Sequence, residues 1–483
     1  MGFRFVRGGP LLEERSLWCS MNDRRKMKTL SVIIATSIIL AGDCFGANGN
    51  PSTDQASAAR LNARGFALLS KIYPEKLDDG VFISPYSIDS AFGLAWLAAE
   101  GKTREEIADG LGFRADAVDV FHRVRGLLDS ASDVQFLSAN SIWMQPTISV
   151  DRTVRKDAEH AFGASFRTAD FTKEREVVDA INSFISDGTQ GMIRNPIDSI
   201  DENTRLMLVN ATYFKASWLK AFDKELTQPL KYTLANGKTK PVWAMNDTRR
   251  VLCFESQDMQ AIILPYKNRR FQFVVILPPK TESMGALLSR LENGGFANIV
   301  QNARGEKCQI TIPKINKDFQ MDDFKNMLQA FGVKSPFDPK EARFPGWKNE
   351  QGGPLYIDKV IHATKLCVDE VETKAAAATC VAVKECRMPM LRTFVVNRPF
   401  VAVIYDTTTE LVLFAGVVND PGCDAPAATA GQMIDEGEDI FEEIRAQNAA
   451  LKEKVRRLKE SLEEERRRQK VIRERNARRV REN

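Results

Sequence analysis

Apolar side chains recur at helical spacing over residues 59–72, where Leu61, Phe66, Leu68 and Leu69 share one side, so an amphipathic helix is predicted there. A short apolar run at Phe82 and Ile83 leads through Ser84-Pro85-Tyr86-Ser87-Ile88 into a second apolar helix that passes Leu94 and Trp96. Thr103 then reads as the N-cap of a third helix, with Glu106 as its capping-box partner. Residues 261–265 and 271–278, apolar but for Gln272, predict buried strands. Residues 319–337, with Met321, Phe324, Met327, Leu328 and Phe331 ahead of Gly332, predict a helix stopped by glycine.

One stretch fits neither period. Ala375, Ala376, Ala377 and Ala378 favour a helix, yet they run into Thr379, Cys380, Val381, Ala382 and Val383, which favour a strand. Read as a strand, one face carries Thr373, Ala375, Ala377, Thr379, Val381 and Val383, all small or β-branched and uncharged. The other carries Glu372, Lys374, Ala376, Ala378, Cys380 and Ala382. A segment of this kind can lie outside a sheet and still enter one, because no side chain on its inward face is large enough to jam.

The 483 residues are 43% hydrophobic, enough for a large core. The net charge of +4 is uneven: 14 Lys/Arg against 7 Asp/Glu after Leu451 put +7 on the tail and leave −3 on residues 1–451. Near the N-terminus, Arg24, Arg25, Lys26 and Lys28 precede an apolar run over 30–41 and small residues at Gly46 and Ala47, the order of an export signal. On this reading residues 1–47 form the signal region, with Met27 as a second candidate start, and the protein is secreted. The run is too short to suit a membrane span. Residues 48–58 read as a polar linker.

At the other end, 422–435 read as a linker and 436–483 as a helical tail. Phe441, Asn448, Val455 and Leu462 recur every seven residues, and Ile444, Leu451 and Leu458 fill the second seam position. This pattern predicts a coiled coil whose single buried Asn sets register, and hence self-association. Basic residues over 466–481 suit a polyanion such as heparin, nucleic acid or anionic lipid; a solvated helix is the plainer reading.

Three histidines are present, His122, His160 and His362, none in a zinc-protease motif, and there is no Gly-x-Ser-x-Gly elbow, so an enzyme is not expected. Eight cysteines include no Cys-x-x-Cys pair, which leaves no metal or cofactor expected; Cys253, Cys308 and Cys367 read as small buried hydrophobes. Asn210 and Asn246 both head Asn-x-Thr, and Asn246 is the better glycan acceptor because Asn210 lies in an apolar strand pattern.

The stretch that starts at Glu370 and passes through Glu372, Thr373 and the alanines resembles the hinge and reactive-centre loop of serpins. Ser84-Pro85-x-Ser87-Ile88, Asn140-Ser141-Ile142-Trp143-Met144, 208–218, Asn397-Arg398-Pro399-Phe400 and 413–421 resemble further serpin segments in the same order. The likeness runs over 59–421. It implies an α+β fold of three β-sheets with eight to nine helices and an exposed loop, followed here by the α-helical extension. It also implies that Ser84, Pro85, Ser87, Asn210 and His362 lie where the main sheet opens, and that residues 370 and 372–379 (Lys374 included) form the hinge.

The function implied is suicide inhibition of a serine protease, or of a cysteine protease. The partner cuts the loop, forms an acyl-enzyme, and is dragged away as the hinge becomes a new strand. Family spacing counted from Glu370 places the cut between Cys386 and Arg387; the next bond, Arg387 to Met388, would suit a trypsin-like partner, and a chymotrypsin- or elastase-like protease is the other partner class expected. Inhibitory serpins usually have Gly at the position of Glu372. A non-inhibitory serpin acting as carrier or oligomeric scaffold is therefore the alternative.

Overall fold

A computed structural model describes residues 51–73, 80–321, 324–370 and 391–426. The sheets and buried clusters below belong to the unit that begins at Asp54. In chain order the first half runs α1 (Pro51–Ile72), β1 (Val81–Ile83), α2 (Pro85–Ala98), α3 (Gly101–Leu111), α4 (Ala117–Asp129), β2 (Val134–Met144), β3 (Ile148–Val150), α5 (Arg152–Phe162), β4 (Ser165–Thr168), α6 (Glu174–Gly188) and β5 (Leu206–Ala216). Then come β6 (Gln228–Thr233), β7 (Thr239–Glu255), β8 (Gln260–Pro265), β9 (Phe271–Leu277), α7 (Met284–Arg290) and α8 (Phe296–Asn302). The remainder is β10 (Arg304–Pro313), β11 (Ile315–Met321), α9 (Phe324–Ala330), β12 (Trp347–Asn349), β13 (Lys359–Val368), β14 (Arg392–Val395), β15 (Phe400–Asp406) and β16 (Leu411–Val418). A kink between α7 and α8 takes Asn293 and Gly294 out of helical conformation, so the two remain separate helices.

The strands form three sheets of nine, five and two strands among the described residues. The five-stranded sheet has the order β11-β13-β5-β2-β4. Its middle is a parallel pair, β13 beside β5, flanked by antiparallel neighbours on both sides. β5 is buried over Leu206–Phe214 because both of its faces are covered. Val209 and Ala211 join Ile361, Ala363, Trp143, Ile181 and Ile185 in a cluster with α6, whereas Leu208 belongs to the larger core that includes α2. Asn210 and Thr212 alternate onto that α2 side, so two polar residues are carried into the interior by the period of the strand.

Four sequence expectations change. α1 begins at Pro51, inside the segment read as linker, since a proline is preset for the first helical turn and Ala56, Ala58 and Ala59 extend it. Thr103 and Glu106 do not cap their own helix: Thr103 accepts from the Arg343 amide at 3.0 Å, and Glu106 from the Lys334 and Ser335 amides at 2.8 and 2.6 Å. Residues 319–321 belong to strand β11, paired with β13, and the helix covers only Phe324–Ala330 before Gly332 turns left-handed. Asn246 is no free acceptor, because its amide donates to Leu226 O and Ala244 O and accepts from Thr311.

Candidate functional site

Ser84 precedes α2 in extended conformation, and Pro85 fills the first helical turn. The Ser84 hydroxyl accepts from the Ser87 amide at 3.2 Å and donates to Leu413 O at 2.7 Å, so one side chain caps α2 and ties it to β16. The Ser84 amide donates to His362 Nε2 at 3.2 Å, and His362 Nδ1 lies 2.5 Å from Asn210 Oδ1. With both assignments made, His362 is the neutral Nδ1–H tautomer: Nε2 accepts and Nδ1–H donates. The Asn210 amide donates to the Ser87 hydroxyl at 2.6 Å, to Ser87 O at 3.2 Å, and to Asn140 Oδ1. Ser87 Oγ also meets Thr212 Oγ1 at 2.6 Å and Ser138 Oγ at 3.3 Å.

Asn140, Asn210 and His362 lie side by side in the ladder, on β2, β5 and β13. The N-terminus of α2 is thus hydrogen-bonded to both strands of the parallel pair and to β2 beside it. All five residues expected here from the sequence (Ser84, Pro85, Ser87, Asn210 and His362) are brought together. His362 is 1% exposed, and burial pushes its imidazole down to about 3. Both ring nitrogens are occupied and the ring resists protonation, so it is no general base; it is a lock between strands.

Towards the end of the pair that lies nearer Glu370, the ladder stops at Lys365↔Tyr213. Residues 366–368 stay with β11 and 214–216 stay with β2, so the sheet forks. A cleft of about 630 Å³ occupies the fork, lined by Tyr213, Trp218, Tyr266, Cys367 and Asp369 among others. Trp218 stacks on Tyr266 at 4.7 Å, and its indole N–H donates to Asp369 O at 2.8 Å.

Glu370, where the expected hinge begins, is held just beyond. Its carboxylate accepts from Thr227 Oγ1 and from Lys314 Nζ, each at 2.7 Å. Burial works to raise this carboxyl, but the bonds from Lys314 and Thr227 outweigh it and hold it below the usual carboxylate range. Glu372, Thr373, Lys374, Ala375 to Thr379 and the bonds around Cys386, Arg387 and Met388 lie outside the described residues, as do Phe441, Ile444, Asn448, Leu451, Val455, Leu458 and Leu462. The chain resumes at Leu391 and enters β14, parallel to β10, where Arg392 pairs with Glu306 at 2.9 Å and with Glu255.

A serpin (serine protease inhibitor) family model matches residues 59–421. The chain belongs to the serpin family. Iripin-1 of Ixodes ricinus is 31% identical over 373 residues, 74% of this chain and 93% of that protein. Serpin-Z7 of Hordeum vulgare is 30% identical, covering 76% and 96%. Among solved structures, the native thermophilic serpin tengpin superposes with a TM-score of 0.69 at 24% identity, over 78% of this chain and 96% of that one, a likeness of fold alone. Serpin48 of the insect Tenebrio molitor gives 0.66 at 25% identity, over 77% and 100%. Serpins in general inhibit proteases and are not themselves catalysts. No helix among the described residues is long and apolar enough to cross a membrane.

The sequence did not assign Trp218, Thr227, Lys314, Ser138, Asn140 or Thr212 to this serpin's site. Trp218 ends a family-like segment and carried a signal. Thr227 and Lys314 carried none, being ordinary polar residues 143 and 56 positions from Glu370.

Proposed function

We propose that this serpin is a secreted suicide-substrate inhibitor whose cleaved loop enters the five-stranded sheet between β13 and β5. The observation that carries the reading is the fork at the end of the parallel pair, which opens a cleft close to Glu370. A strand that turns back after β13 runs antiparallel to β13, and therefore antiparallel to β5 as well. One parallel pairing would be exchanged for two antiparallel ones, with their better-aligned hydrogen bonds and a newly covered apolar face. The protease supplies the nucleophile, and its acyl-enzyme is carried off before water can resolve it. The bond cut is Cys386 to Arg387 by spacing, or Arg387 to Met388 by the chemistry of a trypsin-like partner. The tail is proposed to self-associate and to carry a polyanion-binding face.

Incubation with trypsin-like, chymotrypsin-like and elastase-like proteases tests this. An SDS-stable complex is expected, and the mass of the released C-terminal fragment chooses between the two bonds.

The second reading, a carrier or scaffold serpin without inhibition, rests on Glu372 in place of the usual hinge glycine. It is separated by the melting temperature of the cleaved protein. A rise above about 10 °C is expected if the hinge inserts, since each kcal/mol moves Tm by a few degrees in a domain of this size. Clean cleavage with no rise would sink the inhibitor reading.

A further inference from the structure

Two of the three histidines take no part in the sheet lock. His122 on α4 and His160 on α5 are both exposed, and their rings stack at a centroid distance of 3.6 Å with planes 19° apart. His122 Nδ1 lies 3.1 Å from His160 O, a carbonyl that can only accept, so Nδ1 carries the proton and the Nε2 lone pair is free. An imidazole that donates Nδ1–H to a backbone carbonyl while Nε2 stays unprotonated has the orientation and tautomer of a metal-bound histidine. The His160 ring nitrogens have no hydrogen-bond partner among the described residues. A recess of about 470 Å³ adjoins the stack, lined also by Arg125, Asp129, Lys156 and Glu159.

The charges around the recess do not repel a cation outright. Arg125 is occupied by Asp129 at 3.5 Å and by the carbonyls of Glu159 and His160 at 2.8 and 3.2 Å. Glu159, which meets Arg155 at 3.8 Å, and Asp129 put two carboxylates in the same lining as Lys156.

We propose that His122 and His160 form a two-histidine coordination site for a borderline dication, Zn²⁺ foremost, that staples α4 to α5. Imidazole nitrogens suit Zn²⁺, Cu²⁺ and Ni²⁺ and not Mg²⁺ or Ca²⁺. Two zinc-bound nitrogens at tetrahedral geometry stand about 3.3 Å apart, within reach of two exposed rings already in contact, each of which turns out of the stack to aim its in-plane lone pair at one ion. Among the described residues no group of three or more His, Cys, Asp and Glu is placed to hold a metal, so water completes the shell. Such a site is open to exchange, unlike a closed structural zinc.

The test is Zn²⁺ titration of the full chain by calorimetry at pH 7.5 and 5.5, together with melting curves in Zn²⁺ and in Mg²⁺. His160→Ala is the sharper variant, because the bond that orients His122 goes to the His160 backbone and survives the substitution. One Zn²⁺ per chain is expected, with a rise in Tm that Mg²⁺ does not give. Both effects should be weaker at pH 5.5, because metal binding competes with protons for imidazole nitrogen. His122→Ala and His160→Ala should each weaken binding at least about tenfold, the lower end of what even an outer-shell change costs a metal site. No uptake by the wild type overturns the proposal. So does uptake unchanged in either variant, which would assign the ion to one imidazole or to the cysteine thiols.

Discussion

His362 shows how much a buried ring can report when its partners are fixed. An ordinary histidine titrates near 6.5 when unfolded, whereas this one is held down to about 3 by burial. The unfolded chain therefore binds the proton more readily, and acid favours unfolding. The contribution is fully present above about pH 6.5 and is lost progressively as the pH falls towards 3. Between pH 7 and 4.5 it amounts to on the order of 2 to 3 kcal/mol, at about 1.4 kcal/mol per pH unit below 6.5. Urea midpoints measured across that range should fall more steeply for the wild type than for His362→Gln, whose amide can accept from Ser84 and donate to Asn210 without titrating. Equal slopes would mean that the ring is not buried in this tautomer.

At the scale of elements, the proposed insertion asks the hinge to act as a strand although its sequence carries helix formers. Its inward face on insertion is the one with Thr373, Ala375, Ala377 and Thr379, by the period of two counted from the sequence. Ala377→Arg would bury a guanidinium with no partner, at a cost that stops insertion. Cleavage should proceed at its normal rate while the SDS-stable complex disappears. Glu372→Gly should do the reverse, since glycine bends at little steric cost, and should lower the number of inhibitor molecules consumed per protease trapped.

The same scale shows what could be read beforehand. Ser84-Pro85-x-Ser87 and Asn210 were legible because they stand in segments that resemble serpins, in which the matching residues lie where the main sheet opens. Phe319 and Met321 were misplaced because alternate apolar residues satisfy a helix face and a strand face over so short a span; pairing with β13 decides between them. Thr103 and Glu106 looked like a local capping pair, yet both reach segments more than 200 positions away, which no local pattern can announce.

For the whole molecule, the coiled coil expected of the tail would add self-association to the serpin body. Three heptads with one seam asparagine predict a two-stranded assembly. Sedimentation should show the full chain as a dimer and a chain stopped after Pro426 as a monomer, and Asn448→Leu should broaden the dimer into mixed oligomers. Coincident sedimentation of full and shortened chains would leave the tail a solitary solvated helix.

The nine-stranded sheet has a different consequence. Its order places β15 between β16 and β9, and β16 between β1 and β15, with β14 on the edge beside β10. All three strands lie after the loop, so any cut near Arg387 leaves them on the shorter piece, and β15 and β16 are flanked by strands of the longer one through β9 and β1. Neither piece can depart without unravelling the core. A molecule cut without trapping a protease would therefore remain a single particle, indistinguishable in size from a fresh one. The tail would go with it, so any surface that gathers fresh molecules by the tail would gather exhausted ones equally and would have to be cleared of them by some other means.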